Sequence, residues 1–260
     1  MPATPFELLL PHVMVTGGAS GIGLAIVQLF QQHGAVIDVL DLQKPDKQWM
    51  EEQNLDSERV HFHAVDITSQ QDVQQAVSLI AIQRGIGILI NNAGIAHVGN
   101  VVNTAEDDFM KVFNVNVRGA YNCMQACVPY MEEQGEGLII NMASIAATLG
   151  IADRFAYSMS KGAILSMTLS VARDYIKKGI RCNCISPARV HTPFVDGFVN
   201  KNYPGQQEEM FKKLAASQPI GRMGQPDEVA SLVFYLCSRQ ASFITGCDYP
   251  IDGGFTRLNN

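Results

Sequence analysis

Short apolar, β-branched runs alternate along the chain with longer stretches in which apolar residues recur at helical spacing. The runs predict strands at His12–Thr16, Ala35–Asp41, Val60–Asp66, Gly87–Asn91, Gly137–Ala143, Gly179–Ser186 and Asp248–Ile251. Between them lie amphipathic patterns such as Ser69–Arg84, where Val73, Ala76, Val77, Ile80 and Ala81 fall at i, i+3, i+4, i+7 and i+8. Strands that alternate with helices build parallel sheets through crossover connections. The pattern predicts an α/β fold in one domain, 1–260: a doubly wound, parallel, seven-stranded sheet with helices on both faces. One segment, Pro187 to Gly205, shows no sustained period and reads as a long loop. It follows the carboxyl end of a predicted strand, where open parallel sheets bind ligands, so it is read as a substrate loop that closes over the site. A plain surface excursion is the alternative.

Composition narrows the partners. The 260 residues carry 19 basic and 25 acidic side chains, a net charge of −6, with no block of like charge. That balance argues against nucleic acid and anionic membrane. The start, Met1-Pro-Ala-Thr-Pro-Phe-Glu-Leu-Leu-Leu-Pro, has no basic residue ahead of its apolar run, and no stretch reaches spanning length. A cytoplasmic location is the expectation. Cys123, Cys127, Cys182, Cys184, Cys237 and Cys247 therefore read as reduced, buried thiols, and without a second ligand pair they predict no metal site.

Directly after the first predicted strand comes Thr16-Gly-Gly-Ala-Ser-Gly-Ile-Gly23, followed by a helical pattern over Ile22–His33. Glycines there let the backbone turn tightly and approach a pyrophosphate, which the free amides of the helix N-terminus attract. Asp41 closes the second strand, 18 residues beyond Gly23, near the interval of the acid that receives the ribose hydroxyls of NAD. A carboxylate there repels a 2′-phosphate. The nearest cation in sequence is Lys44, so NAD is expected over NADP. Asp66 and Asn91-Asn92-Ala93-Gly94 end the third and fourth strands, at the same edge of a Rossmann-type sheet.

Further along, Ser144 precedes Tyr157 and Lys161. A tyrosine and a lysine four apart share one helix face, and a neighbouring cation favours phenolate, drawing the phenol toward working pH. With Asn116, Pro187, Thr192 and the closing Ile251-Asp-Gly-Gly254, these motifs span nearly the whole chain, which resembles a short-chain dehydrogenase/reductase of the single-domain type. The resemblance implies that Tyr157 exchanges a proton with the substrate oxygen and Ser144 hydrogen-bonds it. It further implies that Lys161 binds the nicotinamide ribose and lowers the tyrosine pKa, and that Asn116 supports a water relay. By the same resemblance Gly17, Ser20, Gly21, Ile22, Gly23, Asp66, Ile67, Asn92, Ala93, Gly94, Pro187, Val190 and Thr192 line the cofactor groove. Ala188 departs from the family, which usually has glycine there, and puts the local turn in doubt. The resemblance also implies a homotetramer packed through Ala105–Glu132 and Tyr157–Lys178, to which apolar Ala163, Ile164, Met167 and Val171 are suited.

The substrate is signalled more faintly. Arg154 lies three residues before Tyr157, and a guanidinium there fits a carboxylate bidentately; a surface salt bridge with Asp153 is the alternative. Its context is similar to the branch of 2-keto-3-deoxy-sugar-acid dehydrogenases and cytosolic 3-hydroxybutyrate dehydrogenase-like enzymes, which implies a hydroxy acid or sugar acid. Arg189 is a second acid-binding candidate. His97 and His191 are expected to flank the pocket. Two rivals stay open. One is a 3-oxoacyl-carrier-protein reductase, disfavoured by the acidic run Glu132–Glu136 on the expected docking face. The other is a non-catalytic dinucleotide-sensing protein.

Overall fold

The computed structural model describes residues 7–258. Met1–Phe6, part of the stretch read for a leader, lie outside the described residues. Seven strands form: β1 (His12–Thr16), β2 (Val36–Asp41), β3 (Val60–Ala64), β4 (Ile88–Asn91), β5 (Gly137–Met142), β6 (Ile180–Pro187) and β7 (Asp248–Ile251). All pair in parallel in the order β3-β2-β1-β4-β5-β6-β7. Connections run outward in both directions from the β1/β4 neighbours, which makes their carboxyl ends the topological switch point where such sheets take ligands.

Side chains alternate between two cores. Val13, Val15, Ile88, Ile90, Leu138 and Ile140 face one layer, packed by α1 (Gly21–Gln32) and, further along the chain, α9 (Pro226–Leu236). Met14, Leu89, Ile139 and Cys182 face the other, under α3 (Gln70–Arg84), α5 (Gly119–Gln134) and α6 (Phe155–Tyr175). The remaining helices are α2 (Lys47–Glu52), α4 (Glu106–Val112), α7 (Pro193–Asn202), α8 (Gln207–Ala216) and α10 (Phe255–Leu258). Ile88, Leu89 and Ile90 are wholly buried, one reason β4 lies centrally; each such side chain contributes roughly 1.5–3 kcal/mol. Helix α3 begins where its cap predicts, Ser69 Oγ accepting from Asp72 N at 3.3 Å.

Two readings change. Helix α7 takes up about half of Pro187–Gly205, which is therefore not one long loop, because Thr192-Pro-Phe-Val-Asp196 is a helix start. Thr192 Oγ1 accepts from Val195 N at 3.4 Å, Pro193 opens α7 and Asp196 sits in its first turn, where a carboxylate meets the positive helix end. The apolar surplus of α6 is also smaller than expected. Ile164 is in the core and Met167 and Val171 pack against it, leaving Phe155 and Leu169 as large apolar side chains exposed on that helix. The six cysteines are free thiols, five buried and Cys247 part-buried. Among the described residues no helix is long and apolar enough to cross a membrane.

Candidate active site

A cavity of about 710 Å³ opens along the carboxyl edge of the sheet, within the roughly 300–1,000 Å³ of small-molecule sites. Its walls come from the residues following β1 through β6 and from α7 and α8. The glycine-rich turn forms one end. Gly17 and Gly21 have φ of 67° and 52°, left-handed values that favour glycine. A β-carbon on Gly23 would overlap the Gly17 carbonyl oxygen and stand 2.6 Å from Asn92 Nδ2, so α1 can approach the turn only with glycine there. Asn92 ties the turn to the end of β4, donating Nδ2 to the carbonyls of Thr16 (3.1 Å) and Gly17 (2.9 Å). Thr16 completes the tie, its Oγ1 accepting from the amides of Asn92 (3.1 Å) and Ala93 (3.0 Å). Sequence reasoning missed Thr16 as an organiser; its signal is a hydroxyl closing an otherwise apolar strand.

Ser20, Gly21 and Ile22 line the cavity at the start of α1, and Ser20 does not cap the helix with its side chain. Asp41, also lining it, accepts from Ala19 N (3.2 Å) and Leu42 N (2.8 Å), which aims the carboxylate across the turn. Asp66 accepts from Thr68 N and Oγ1 at 2.9 and 2.8 Å, with Ile67 beside it on the wall. Ala93, Gly94, Pro187, Val190 and Thr192 line the same cavity, and the Thr192 methyl lies 3.4 Å from where a Gly21 β-carbon would stand. A glycine cradle closed by β-carbon overlap, free helix amides and a carboxylate at the end of β2 fit a dinucleotide.

At the other end Ser144, Tyr157 and Lys161 converge on the cavity wall. Ser144 follows β5, its Oγ accepting from Ala146 N (3.2 Å), while Tyr157 and Lys161 lie one turn apart on α6. Lys161 Nζ stands 5.7 Å from the Tyr157 ring centroid and donates to the Met142 carbonyl at 2.7 Å. Burial lowers the Lys161 ammonium to about 8. The expected fall of the tyrosine pKa is not found. Burial holds the Tyr157 phenol above its ordinary value, outweighing the Ser144 hydrogen bond and the Arg154 charge, which act downward.

Asn116 sits behind this group in a π-helical turn, Phe113–Arg118, between α4 and α5. It exchanges two hydrogen bonds with the Ile95 backbone, both 2.8 Å, and donates to Ser160 Oγ at 2.9 Å. Its Oδ1 and Lys161 Nζ both flank Gly94, at 3.3 and 3.5 Å from where a β-carbon there would be.

The family model described as enoyl-(acyl carrier protein) reductase matches residues 17–256. The chain belongs to the short-chain dehydrogenase/reductase family. Such an enzyme is an oxidoreductase acting on CH–OH groups of small molecules, and its fold binds a nicotinamide dinucleotide. The 2-keto-3-deoxy-L-fuconate dehydrogenase of Xanthomonas campestris is 32% identical over 98% of this chain and 84% of its own length. The 3-ketoacyl-(acyl-carrier-protein) reductase of Brucella melitensis, solved with NADH, aligns at 31% identity and a TM-score of 0.84, covering 94% of this chain and 98% of that one. ElxO, solved with NADP, aligns at 25% identity and 0.88, over 95% and 99%.

The substrate end of this short-chain dehydrogenase/reductase is less uniform. Arg154 and Arg189 both border the cavity. Arg154 Nη1 donates to the Asp153 backbone carbonyl at 3.3 Å. Asp153 itself is held at φ 54°, and the Gly99 amide donates to its carbonyl at 3.0 Å, so α6 is entered through a pinned turn. His97 sits between the wall-lining Ala96 and Val98, flanking the cavity without lining it, and pairs with Asp108 of α4 at 3.4 Å. His191 likewise turns from the wall to Asp196 on α7, at 2.8 Å, and packs edge-on to Phe211. Ala188 causes no strain: it lines the cavity, its φ is not left-handed, and its amide donates to Ile251 O at 3.1 Å. The acidic run Glu132–Glu136 bridges α5 to the start of β5, at the sheet edge opposite the cavity. It therefore cannot weigh against a carrier-protein substrate. Among the described residues no group of three or more His, Cys, Asp or Glu is arranged to hold a metal.

Proposed function

We propose that this enzyme interconverts a secondary alcohol and a ketone on a carboxylate-bearing substrate, a hydroxy acid or sugar acid, with NAD preferred over NADP. The observation that carries the reaction is the convergence of Ser144, Tyr157 and Lys161 on one wall of the cavity that the glycine cradle closes. When bound there, the nicotinamide supplies or accepts a hydride at the carbinol carbon. Tyr157 gives the substrate oxygen its proton in reduction and takes it in oxidation, while the Ser144 hydroxyl hydrogen-bonds that oxygen. Lys161 orients the ribose and, as an ammonium, supports the phenolate left after proton donation. Asn116 holds the Ile95 segment and Ser160 in place behind it. A phenol kept neutral by burial suits the acid role in reduction.

Asp41 supports the NAD preference, its carboxylate lying where a 2′-phosphate would be repelled. Arg154 supports the acid substrate, as does the sugar-acid dehydrogenase relative. The Brucella likeness favours a second reading, reduction of a 3-oxoacyl carrier-protein thioester. A cytoplasmic homotetramer accompanies the first reading; light scattering tests the assembly. Tyr157→Phe should lower kcat by a thousandfold or more while NADH still binds. Retained turnover refutes the reaction. Rates with NAD and NADP across hydroxy acids, sugars, sugar acids and a 3-oxoacyl thioester separate the readings, and no turnover of any of them supports a sensor.

A further inference from the structure

Arg189 differs from the other arginines whose partners are visible. Arg84 meets Asp38, and Arg222 forms a two-bonded pair with Glu228 at 2.8 and 2.7 Å. The buried Arg181 spends its terminal nitrogens on the carbonyls of Ile244 and Leu236, at 2.9 and 3.2 Å. Arg189 is half-buried on the cavity wall, and among the described residues no carboxylate pairs with it. Its backbone is fixed by Gln218, whose Oε1 accepts the Arg189 amide at 3.1 Å, and by Gly224, whose amide donates to its carbonyl at 2.9 Å. Its side chain is fixed as well: Nε donates to Ser217 Oγ at 2.8 Å, just past the end of α8. Among the described residues the N–H groups on its terminal nitrogens meet no acceptor and are left for a ligand. The charge nearest in effect is a second guanidinium, Arg154, which works with burial to disfavour the Arg189 cation. A half-buried cation that shares its cavity wall with another guanidinium, with terminal donors unspent, is stable chiefly when an anion joins them.

We propose that Arg189 is a specificity-determining residue that, opposite Arg154, clamps the substrate carboxylate, so that the enzyme selects acids over their neutral counterparts. This rests on the acid-substrate reading above and extends it to a second guanidinium, oriented by Ser217. A carboxylate received by two arginine forks is fixed in position as well as charge, which places the carbonyl carbon of a short oxo acid near Tyr157. Ser217 is the positioning residue, and it couples the anion site to α8.

The test uses ketone probes, which NAD⁺ leaves unreacted: acetoacetate against methyl acetoacetate, and levulinate against methyl levulinate. Each is titrated calorimetrically into the full chain saturated with NAD⁺. The wild type should bind at least one acid tenfold or more tighter than its ester. Arg189→Gln should erase most of that preference, with ester and NAD⁺ affinities within twofold of wild type. Arg189→Lys, which keeps the charge and loses the fork, and Ser217→Ala should each lower the ratio severalfold, and either serves if Arg189→Gln does not fold. A wild type without acid preference, or an unchanged ratio in the variants that fold, overturns the proposal. Tyr157→Phe separates the two claims, since an active Tyr157→Phe enzyme refutes the reaction but leaves the acid-over-ester ratio unaffected.

Discussion

The buried thiols predict how this enzyme unfolds in alkali. Burial pushes Cys123 and Cys182 up to about 12 from an ordinary 9.0, and raises Cys127, Cys184 and Cys237 as well. Above about pH 9 the unfolded chain ionises these five thiols while the folded one keeps their protons. Their contribution to stability is complete below pH 9 and is lost as pH rises toward the folded values. Each thiol costs about 1.4 kcal/mol per pH unit, five about 7. Lys161 acts oppositely. Its folded value of about 8 lies below the ordinary 10.5, so between those limits the unfolded chain holds the extra proton and stability rises by about 1.4 kcal/mol per pH unit. The net loss is about 5–6 kcal/mol per unit near pH 10, against a total of roughly 5–15 kcal/mol. The reduced protein should therefore unfold within about one to three pH units above 9. Urea titrations at stepped pH under a phosphine reductant measure the slope, and Cys123→Ala/Cys127→Ala should remove about two protons from it. A slope of one proton or fewer between pH 9.5 and 10.5 would refute the reasoning.

Three further outcomes follow from the site. Gly23→Ala forces α1 away from the Gly17 carbonyl and Asn92, so NADH affinity, read by fluorescence titration, should fall at least tenfold; an unchanged Kd would show that the cradle is not needed. Thr16→Val strips the acceptor from the part-buried amides of Asn92 and Ala93 and should cost about 1–3 kcal/mol, seen as a lower Tm; an unaltered Tm counts against the tie. In the reduction direction kcat/KM should decline above about pH 8 as Lys161 loses its proton, and a profile flat to pH 10 would remove the ammonium from the mechanism.

The sheet was legible because each strand is a local apolar run, and the cofactor-lining motifs sit at strand carboxyl ends. Thr16, Asp41 and Asn91 each close a strand in both sequence and structure. The glycine spacing carried its own geometry, since a turn with φ above zero at Gly17 and Gly21 admits few other residues. Asn116 was legible only through resemblance. Nothing local in Phe-Asn-Val-Asn-Val-Arg announces a π-helical turn, and its partners, the Ile95 backbone and Ser160, lie 21 and 44 residues away. The tyrosine shift was misjudged because spacing reveals that a lysine is near but not that both groups are dry, and burial opposes the charged form of each.

The reaction and its substrate are thus encoded at different ranges. The acid–base group lies within one helix and the strand before it, so a short window names the chemistry. The anion site does not: Arg189 is aimed by Ser217, 28 residues on, through two helices of which α7 read as loop. A helix-start signature at Thr192-Pro193 is enough to recover α7, yet it does not foretell that α8 returns to the wall carrying Leu214 and, just beyond, Ser217. Substitutions on α8 that disturb Ser217 should therefore shift which acids bind while leaving the tyrosine chemistry intact, whereas changes on α6 should do the reverse.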